Sequence, residues 1–223
     1  MFRKCVGSLV LLLCCSALHA EDWIPVYEEP RHKPVFENDH AMILNVFLPP
    51  GYVSLYHEHR LDLLYVTIVG TKVWAEPLGG ERGEADVKTG DVRFSSDNHG
   101  LPHVHRVGNI GTTPFHVIAI GVKGENPAGT TALEGDTSAM VPVTEKPHAS
   151  VYRIRLQPGE KTGVHTHHLP YTKVYLTAGE LSDGNGNIRQ VKAGDFLWQP
   201  GGETHSHENT GDNEITIIEI LWR

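Results

Sequence analysis

The sequence has few cysteines, and all of them stand near the amino terminus. Cys5, Cys14 and Cys15 are the three cysteines of the 223 residues. They fall within residues 1–20, where a basic start and a short apolar run end at Ala20, the pattern of a secretory signal peptide. Cleavage after Ala20 leaves a chain without thiols, so disulfides and cysteine-ligated metal sites are excluded. We therefore expect a periplasmic or secreted protein.

A membrane-spanning run and an excess of basic residues are also lacking. The apolar run before Ala20 is shorter than the roughly 20 residues that a spanning helix needs. Removing residues 1–20 leaves 17 Lys and Arg against 27 Asp and Glu, a net charge of −10. Such an acidic chain is a poor partner for nucleic acid or for an anionic membrane. We expect neither as a partner once the signal is cleaved.

Helical periodicity is absent as well, and the sequence instead favours short strands. The segment 214–220 is rich in β-branched residues, which is typical of a strand. Turn pairs such as Pro158-Gly159 and Asn185-Gly186 separate the apolar runs. This pattern predicts an all-β fold, either a sandwich or a barrel.

The chain repeats itself at a spacing of about 100 residues. At an offset of 108, residues 40–59 align without a gap with residues 148–167, and seven positions are identical. Repetition at this spacing indicates a duplicated domain. The predicted organisation is a signal peptide at 1–20, an arm at 21–34, a first barrel at 35–122, a linker at 123–147 and a second barrel at 148–223. The arm either packs along the first barrel or forms a disordered leader.

Histidine is abundant and clustered, with 14 of the 15 histidines left after signal cleavage. His165 and His167 are two residues apart on a predicted strand, so both side chains point to one face. His205 follows on a later strand and could complete a set of three imidazoles. Such a set holds a divalent transition metal and leaves other coordination positions open.

The spacing of these residues resembles that of a known family. Gly159-x5-His165-x-His167 and Gly194-x5-Pro200-x-Gly202-x2-His205-x3-Asn209 are similar to the two motifs of cupins. The resemblance covers both copies and implies a bicupin of two tandem double-stranded β-helix (jelly-roll) barrels. It also implies the metal ligands, which are His165, His167 and His205 in the second copy, and His57, His59 and either His105 or His103 in the first.

This sequence departs from the family pattern at one ligand. Cupins usually carry a Glu separated from the second His by three or four residues, but Tyr171 and Thr172 stand at those places, and Leu63 and Leu64 in the first copy. The absence of this Glu argues against the manganese chemistry of oxalate-degrading bicupins. The remaining set of ligands is more similar to that of three-His dioxygenases. Tyr171 could act as an acid or an oxyanion donor, or simply pack in the barrel.

Two further histidines adjoin the predicted ligands. We expect His168 and His207 at the surface, with support of a ligand as the alternative role of His207.

Two hypotheses about function follow. The first is a metal-dependent enzyme of the dioxygenase or lyase type that acts on a small organic molecule. The second is a non-catalytic periplasmic protein that binds metal or a small ligand. Fe, Zn, Cu, Mn and Ni are all compatible with the predicted ligands, at one or two ions per chain. The family resemblance further suggests a homodimer.

Overall fold

The computed structural model describes residues 22–95, 103–123 and 132–223. The predicted signal peptide and part of the predicted linker lie outside these ranges. Across the described residues the chain is almost entirely β, as predicted, with one short 3-10 helix. Over the same ranges, no helix has the length and apolar character needed to span a bilayer.

The first barrel consists of ten strands in two five-stranded sheets, with orders β1-β4-β9-β6-β7 and β2-β3-β10-β5-β8. Its elements are β1 (Ile24–Pro25), the 3-10 helix (Val26–Glu28), β2 (His32–Glu37), β3 (Ala41–Leu48), β4 (His57–His59), β5 (Asp62–Val69), β6 (Lys72–Pro77), β7 (Gly83–Asp86), β8 (Val92–Ser95), β9 (His103–Asn109) and β10 (Phe115–Val122).

The second barrel repeats this arrangement, with sheet orders β11-β14-β19, β12-β13-β21-β15-β18 and β17-β16-β20. Its elements are β11 (Leu133–Gly135), β12 (Val141–Lys146), β13 (Ala149–Leu156), β14 (His165–His167), β15 (Tyr171–Tyr175), β16 (Gly179–Ser182), β17 (Ile188–Val191), β18 (Phe196–Gln199), β19 (Glu203–His205), β20 (Glu208–Asn209) and β21 (Ile215–Trp222). The two jelly-roll barrels are therefore in tandem.

The segments predicted as arm and linker take part in these sheets. β1 pairs in parallel with β4, and β2 pairs with β3, so the arm forms part of the first barrel. Within the predicted linker, β11 pairs with β14 and β12 with β13. β1 and β11 pair with strands that lie much further along the chain, a contact that local turn signals do not show.

Two features of the repeated motifs have structural roles. Gly51 and Gly159 both adopt a φ of 79°, a conformation that favours glycine, at the turn that precedes each pair of histidines. The motif Asn209 is fully buried, and its Nδ2 donates to the carbonyls of Leu156 and Asn213. Asn109 makes the corresponding bonds in the first barrel. These residues fix the strands around each histidine cluster.

The two barrels pack face to face through one apolar core. The sheet around β10 and the sheet around β21 contribute side chains to a single cluster of buried residues. Ile118 and Ile120 lie on the first side, and Ile218, Ile220 and Trp222 on the second. Because the side chains alternate along a strand, those of Ile215, Ile217 and Glu219 on β21 face the interior of the second barrel instead.

Candidate metal centres

The second barrel brings its three motif histidines together. His165 and His167 lie on β14, and His205 lies directly opposite His165 on β19. All three are buried, and one ring nitrogen from each lies within 4.8 Å of the others. This convergence follows from the pairing of two short strands whose alternate residues face the barrel interior.

The hydrogen bonds of the first histidine in each pair set its tautomer. His165 donates from Nδ1 to the carbonyl of Gly163 at 2.9 Å, and His57 donates from Nδ1 to the carbonyl of Leu55 at 2.9 Å. A carbonyl only accepts, so Nδ1 must carry the proton and Nε2 presents a lone pair. Neither Nε2 has a hydrogen-bond partner in the part of the chain that the structure describes.

Burial keeps these imidazoles neutral. It lowers the pKa of His57 to about 4, that of His167 to about 2 and that of His205 to about 3, with neighbouring positive charges adding to the effect. A metal binds the neutral ring, so near pH 7 these groups need no deprotonation before an ion enters. Three neutral imidazoles with free nitrogens suit Zn, Cu, Fe or Ni.

The first barrel holds the matching cluster of His57, His59 and His105. His105 stands opposite His57 on β9, as His205 stands opposite His165. His103 lies outside the cluster, with its Nε2 2.8 Å from Nδ1 of His105. Of the two residues predicted for the third position, the structure therefore places His105 among the three.

The interiors of the two barrels differ in chemistry. In the second barrel, Lys173 of β15 stands opposite Glu219 of β21. The pair at the same positions of the first barrel is Tyr65 and Ala119. The second barrel has a cavity of about 430 Å³ whose lining residues are mostly polar and include Arg189. The cavity of about 280 Å³ in the first barrel is more apolar, lined by Val46, Leu48, Val107, Phe115, Val117 and Ala119 among others.

Lys173 is buried beside the second cluster. Its Nζ lies 2.5 Å from Nε2 of His207 and 3.4 Å from Nε2 of His205. Burial lowers the pKa of Lys173 to about 8, against the raising effect of Glu219. Sequence reasoning missed this residue because an isolated Lys in a strand is ordinarily at the surface.

The prediction that His207 lies at the surface is wrong. His207 is buried and lines the polar cavity beside Lys173. It stands two residues after His205, a spacing that places both side chains on one face of an extended segment, so the sequence could have indicated its position. His168, by contrast, is exposed and hydrogen-bonds to Glu134 at 3.0 Å.

Tyr171 packs directly on the second cluster. Its ring stacks on that of His167, with the centroids 3.9 Å apart, and its hydroxyl donates to Glu203 at 2.8 Å. Burial raises the pKa of the phenol, and the hydrogen bond to Glu203 adds to this. Tyr171 therefore helps to fix the orientation of His167.

The first cluster is supported by the amino-terminal arm. The ring of His32 lies 4.3 Å from that of His57, and its Nδ1 is 2.6 Å from a carboxylate oxygen of Glu29. Glu29 is buried and also accepts bonds from the amide of Arg31 and the hydroxyl of Tyr52. His32 could not be predicted from the sequence, because nothing in its spacing relates it to the motif histidines.

Replacing Glu29 with Gln should destabilise the protein in a pH-dependent way. Burial alone raises the pKa of Glu29, but the contacts with His32, Arg31 and Tyr52 outweigh it and lower the pKa to about 2. The stabilisation is complete above the unfolded-state pKa of about 4.3 and is lost as the pH falls towards 2. We expect a loss of about 2 to 3 kcal/mol at pH 7 in urea unfolding.

The exposed neighbour Glu28 offers a matched control. Glu28→Gln should change the free energy of unfolding by less than about 0.5 kcal/mol. An equal loss at pH 7 and pH 3 for Glu29→Gln would show that the carboxylate charge plays no part.

Comparison with known proteins relates the second barrel to a known family. A family model described as "Cupin domain" matches residues 152–221, which run from β13 to β21 and include the second cluster. The second barrel is therefore a cupin domain. Among curated cupin relatives, the "Oxalate-binding protein" of Thermotoga maritima is 34% identical over 70 residues, which cover 31% of this chain and 58% of the relative. The match thus spans less than two thirds of that relative's length.

Solved structures extend the likeness to both barrels. AerE from Microcystis aeruginosa superposes with a TM-score of 0.61 at 12% identity, covering 87% of this chain and 98% of its own. Salicylate 1,2-dioxygenase from Pseudoaminobacter salicylatoxidans superposes with a TM-score of 0.57 at 11% identity, covering 82% of this chain and 69% of its own. Oxalate decarboxylase from Bacillus subtilis superposes with a TM-score of 0.54 at 15% identity, with the same two coverages of 82% and 69%. At these identities the likeness concerns the fold, and it supports the tandem cupin architecture.

Proposed function

We propose that this protein is an exported bicupin that binds one divalent transition metal at each histidine cluster and that its second barrel is a metal-dependent enzyme for a small organic anion. The observation that carries the proposal is the convergence of three neutral imidazoles in each barrel, all of them buried except that of His105, which is half-buried. An unpaired buried nitrogen costs free energy unless it gains a partner, and a metal ion is a partner for all three at once.

The second barrel has the features of a reaction site. A bound metal would supply Lewis acidity and open positions for a bidentate ligand, and with Fe(II) it would also activate oxygen. Lys173 and Arg189 line the cavity, so their positive charges would attract and orient a carboxylate. The name of the relative, an oxalate-binding protein, supports a small acid as the ligand. Dioxygenase-like or lyase-type chemistry fits such a site, and Tyr171 remains a candidate acid.

A non-catalytic role in binding metal or a small ligand is the second candidate function. The first barrel favours it, because its interior has Tyr65 and Ala119 where the second has Lys173 and Glu219. Ligand binding in the first barrel and turnover in the second would combine both candidates. Saturating the metal-loaded protein with oxalate and other small carboxylates, then analysing the mixture for products, separates turnover from binding.

Location bears on the choice of metal. The signal peptide proposed at residues 1–20 would deliver the protein to the periplasm or outside the cell, where ferrous iron is easily oxidised. Zn and Cu bind imidazole tightly and persist there, with Cu favoured by the Irving–Williams order. Mn and Ni complete the set that the ligands allow. A homodimer stays a prediction from the family resemblance.

Elemental mass spectrometry of the protein, purified without an affinity tag from its native compartment, tests the proposal. We expect close to two metal ions per chain, one for each cluster. Iron would favour oxygen chemistry, whereas zinc or copper would favour binding or non-oxidative chemistry. A protein that holds no metal, and takes up none from added salts at neutral pH, would overturn the proposal.

A further inference from the structure

Glu219 lies inside the second barrel although it belongs to the last and most apolar strand. Its neighbours Ile218 and Ile220 face the core between the barrels. Strand alternation therefore turns Glu219 towards the barrel interior, together with Ile217. The residue has no exposed surface. A carboxylate at this position is costly unless a cation or a set of donors compensates its charge.

The contacts of Glu219 point to the histidine cluster. One carboxylate oxygen lies 3.4 Å from Nε2 of His167. Neither oxygen has a hydrogen-bond partner within the described ranges. Lys173 stands opposite on the neighbouring strand, but its Nζ hydrogen-bonds to His207 instead. The carboxylate thus keeps its lone pairs free at the edge of three imidazoles.

The spacing suits two ligands of one ion. Zinc binds His nitrogen at about 2.0–2.1 Å and carboxylate oxygen at about 2.0–2.2 Å, so two tetrahedral ligands are separated by about 3.4 Å. The cluster with mutual distances below 4.8 Å contains the histidines and not Glu219. The carboxylate therefore lies at the edge of the cluster, beside His167.

We propose that Glu219 supplies a fourth protein ligand to a metal held by His165, His167 and His205. The inference rests on the proposed metal site, and it assigns the carboxylate to the last strand, since the usual motif position carries none. Ala119 occupies the matching place in the first barrel, and its side chain offers no ligand atom. The second site should therefore bind metal more tightly, with a preference shifted towards oxygen-favouring ions such as Mn²⁺ and Fe²⁺.

The test uses a full-length protein in which His57→Ala and His59→Ala remove the first cluster, so that one site is measured. Zn²⁺ affinity is determined by competition with a chelator, and Co²⁺ is used to record the visible ligand-field spectrum. Loss of a partner that only supports a ligand costs about 10–100-fold in affinity, so loss of a direct ligand should cost at least as much. We expect Glu219→Gln to weaken Zn²⁺ binding by at least about 10-fold and to change the Co²⁺ spectrum.

Two further variants distinguish a ligand from a mere counter-ion of Lys173. Glu219→Asp keeps the charge but withdraws the carboxylate by one methylene, so it should weaken Zn²⁺ binding too. Lys173→Met removes a nearby positive charge and should leave the affinity unchanged or raise it. If Glu219→Gln and Glu219→Asp both leave the affinity and the spectrum of the parent unchanged, Glu219 is no ligand.

Failure of the proposed function gives a different result. In that case the parent protein with its second cluster intact binds neither Zn²⁺ nor Co²⁺, and both proposals fall together. A parent that binds metal, and loses it on His167→Ala but not on any change at Glu219, overturns the fourth ligand alone.

Discussion

Replacing His165, His167 and His205 together with Ala should remove about one metal ion per chain. The three rings supply the convergent nitrogens of the second cluster, and alanine offers no donor atom. The first cluster lies in the other barrel and keeps its own three histidines, so its metal should remain. Elemental mass spectrometry of the variant and of the parent protein, loaded in parallel, measures the difference.

A control for this change should remove histidines that lie outside both clusters. His116 hydrogen-bonds to Asn45 in the first barrel, and His168 is exposed in the second. Replacing both with Ala should leave the metal content unchanged. If the triple variant holds as much metal as the parent, the assignment of ligands in the second barrel is wrong.

Trp222→Ala should cause a large loss of stability. The side chain is 1% exposed and belongs to the apolar core shared by the two barrels. Its Nε1 donates to Oγ1 of Thr172 at 3.0 Å, so the change also leaves that hydroxyl without this donor. Truncation of a buried aromatic residue costs about 3–5 kcal/mol. Urea unfolding followed by circular dichroism should show this loss.

An exposed aliphatic residue provides the comparison for Trp222. Ile188 on β17 is 61% exposed, and Ile188→Ala should change the free energy of unfolding by less than about 0.5 kcal/mol. Because both barrels contribute to the core that contains Trp222, the two barrels of the variant should unfold together in a single transition. Two separate transitions, with one unaffected by Trp222→Ala, would contradict a shared core.

Much of the architecture could be predicted from internal repetition. The alignment of residues 40–59 with 148–167 places two histidines on equivalent strands, and the structure pairs β4 with β9 as it pairs β14 with β19. Period-2 alternation was sufficient to place His165 and His167 on one face. The convergence with His205 required the family resemblance, since 38 residues separate it from His167.

The polar residues inside the second barrel could not be predicted in the same way. Lys173 and Glu219 meet because β15 pairs with β21 in one particular register, and a shift of one strand by one residue would place the two side chains on opposite faces of the sheet. The pattern of β21 is apolar on both sides because one face packs on the first barrel. The residues around Glu219 in the sequence therefore do not indicate that it faces Lys173.

The first barrel shows where spacing alone leaves a choice. His103 and His105 are two residues apart on β9, so both side chains point to the same face. Strand alternation therefore cannot tell which of them is the ligand. The three-dimensional arrangement decides, since a ring nitrogen of His105 converges with those of His57 and His59. His32 reaches the first cluster because β2 pairs with β3. This pairing is a feature of the tertiary structure of the arm and could not be predicted from the spacing of the histidines.

The most direct test of the two metal sites is an anomalous difference map from crystals grown with Co²⁺ or Zn²⁺. We predict two strong peaks per chain, each about 2.0–2.1 Å from a ring nitrogen of every histidine in its cluster. One peak should lie among His57, His59 and His105, and the other among His165, His167 and His205. Peaks at surface histidines such as His168 alone, with none inside either barrel, would contradict the account.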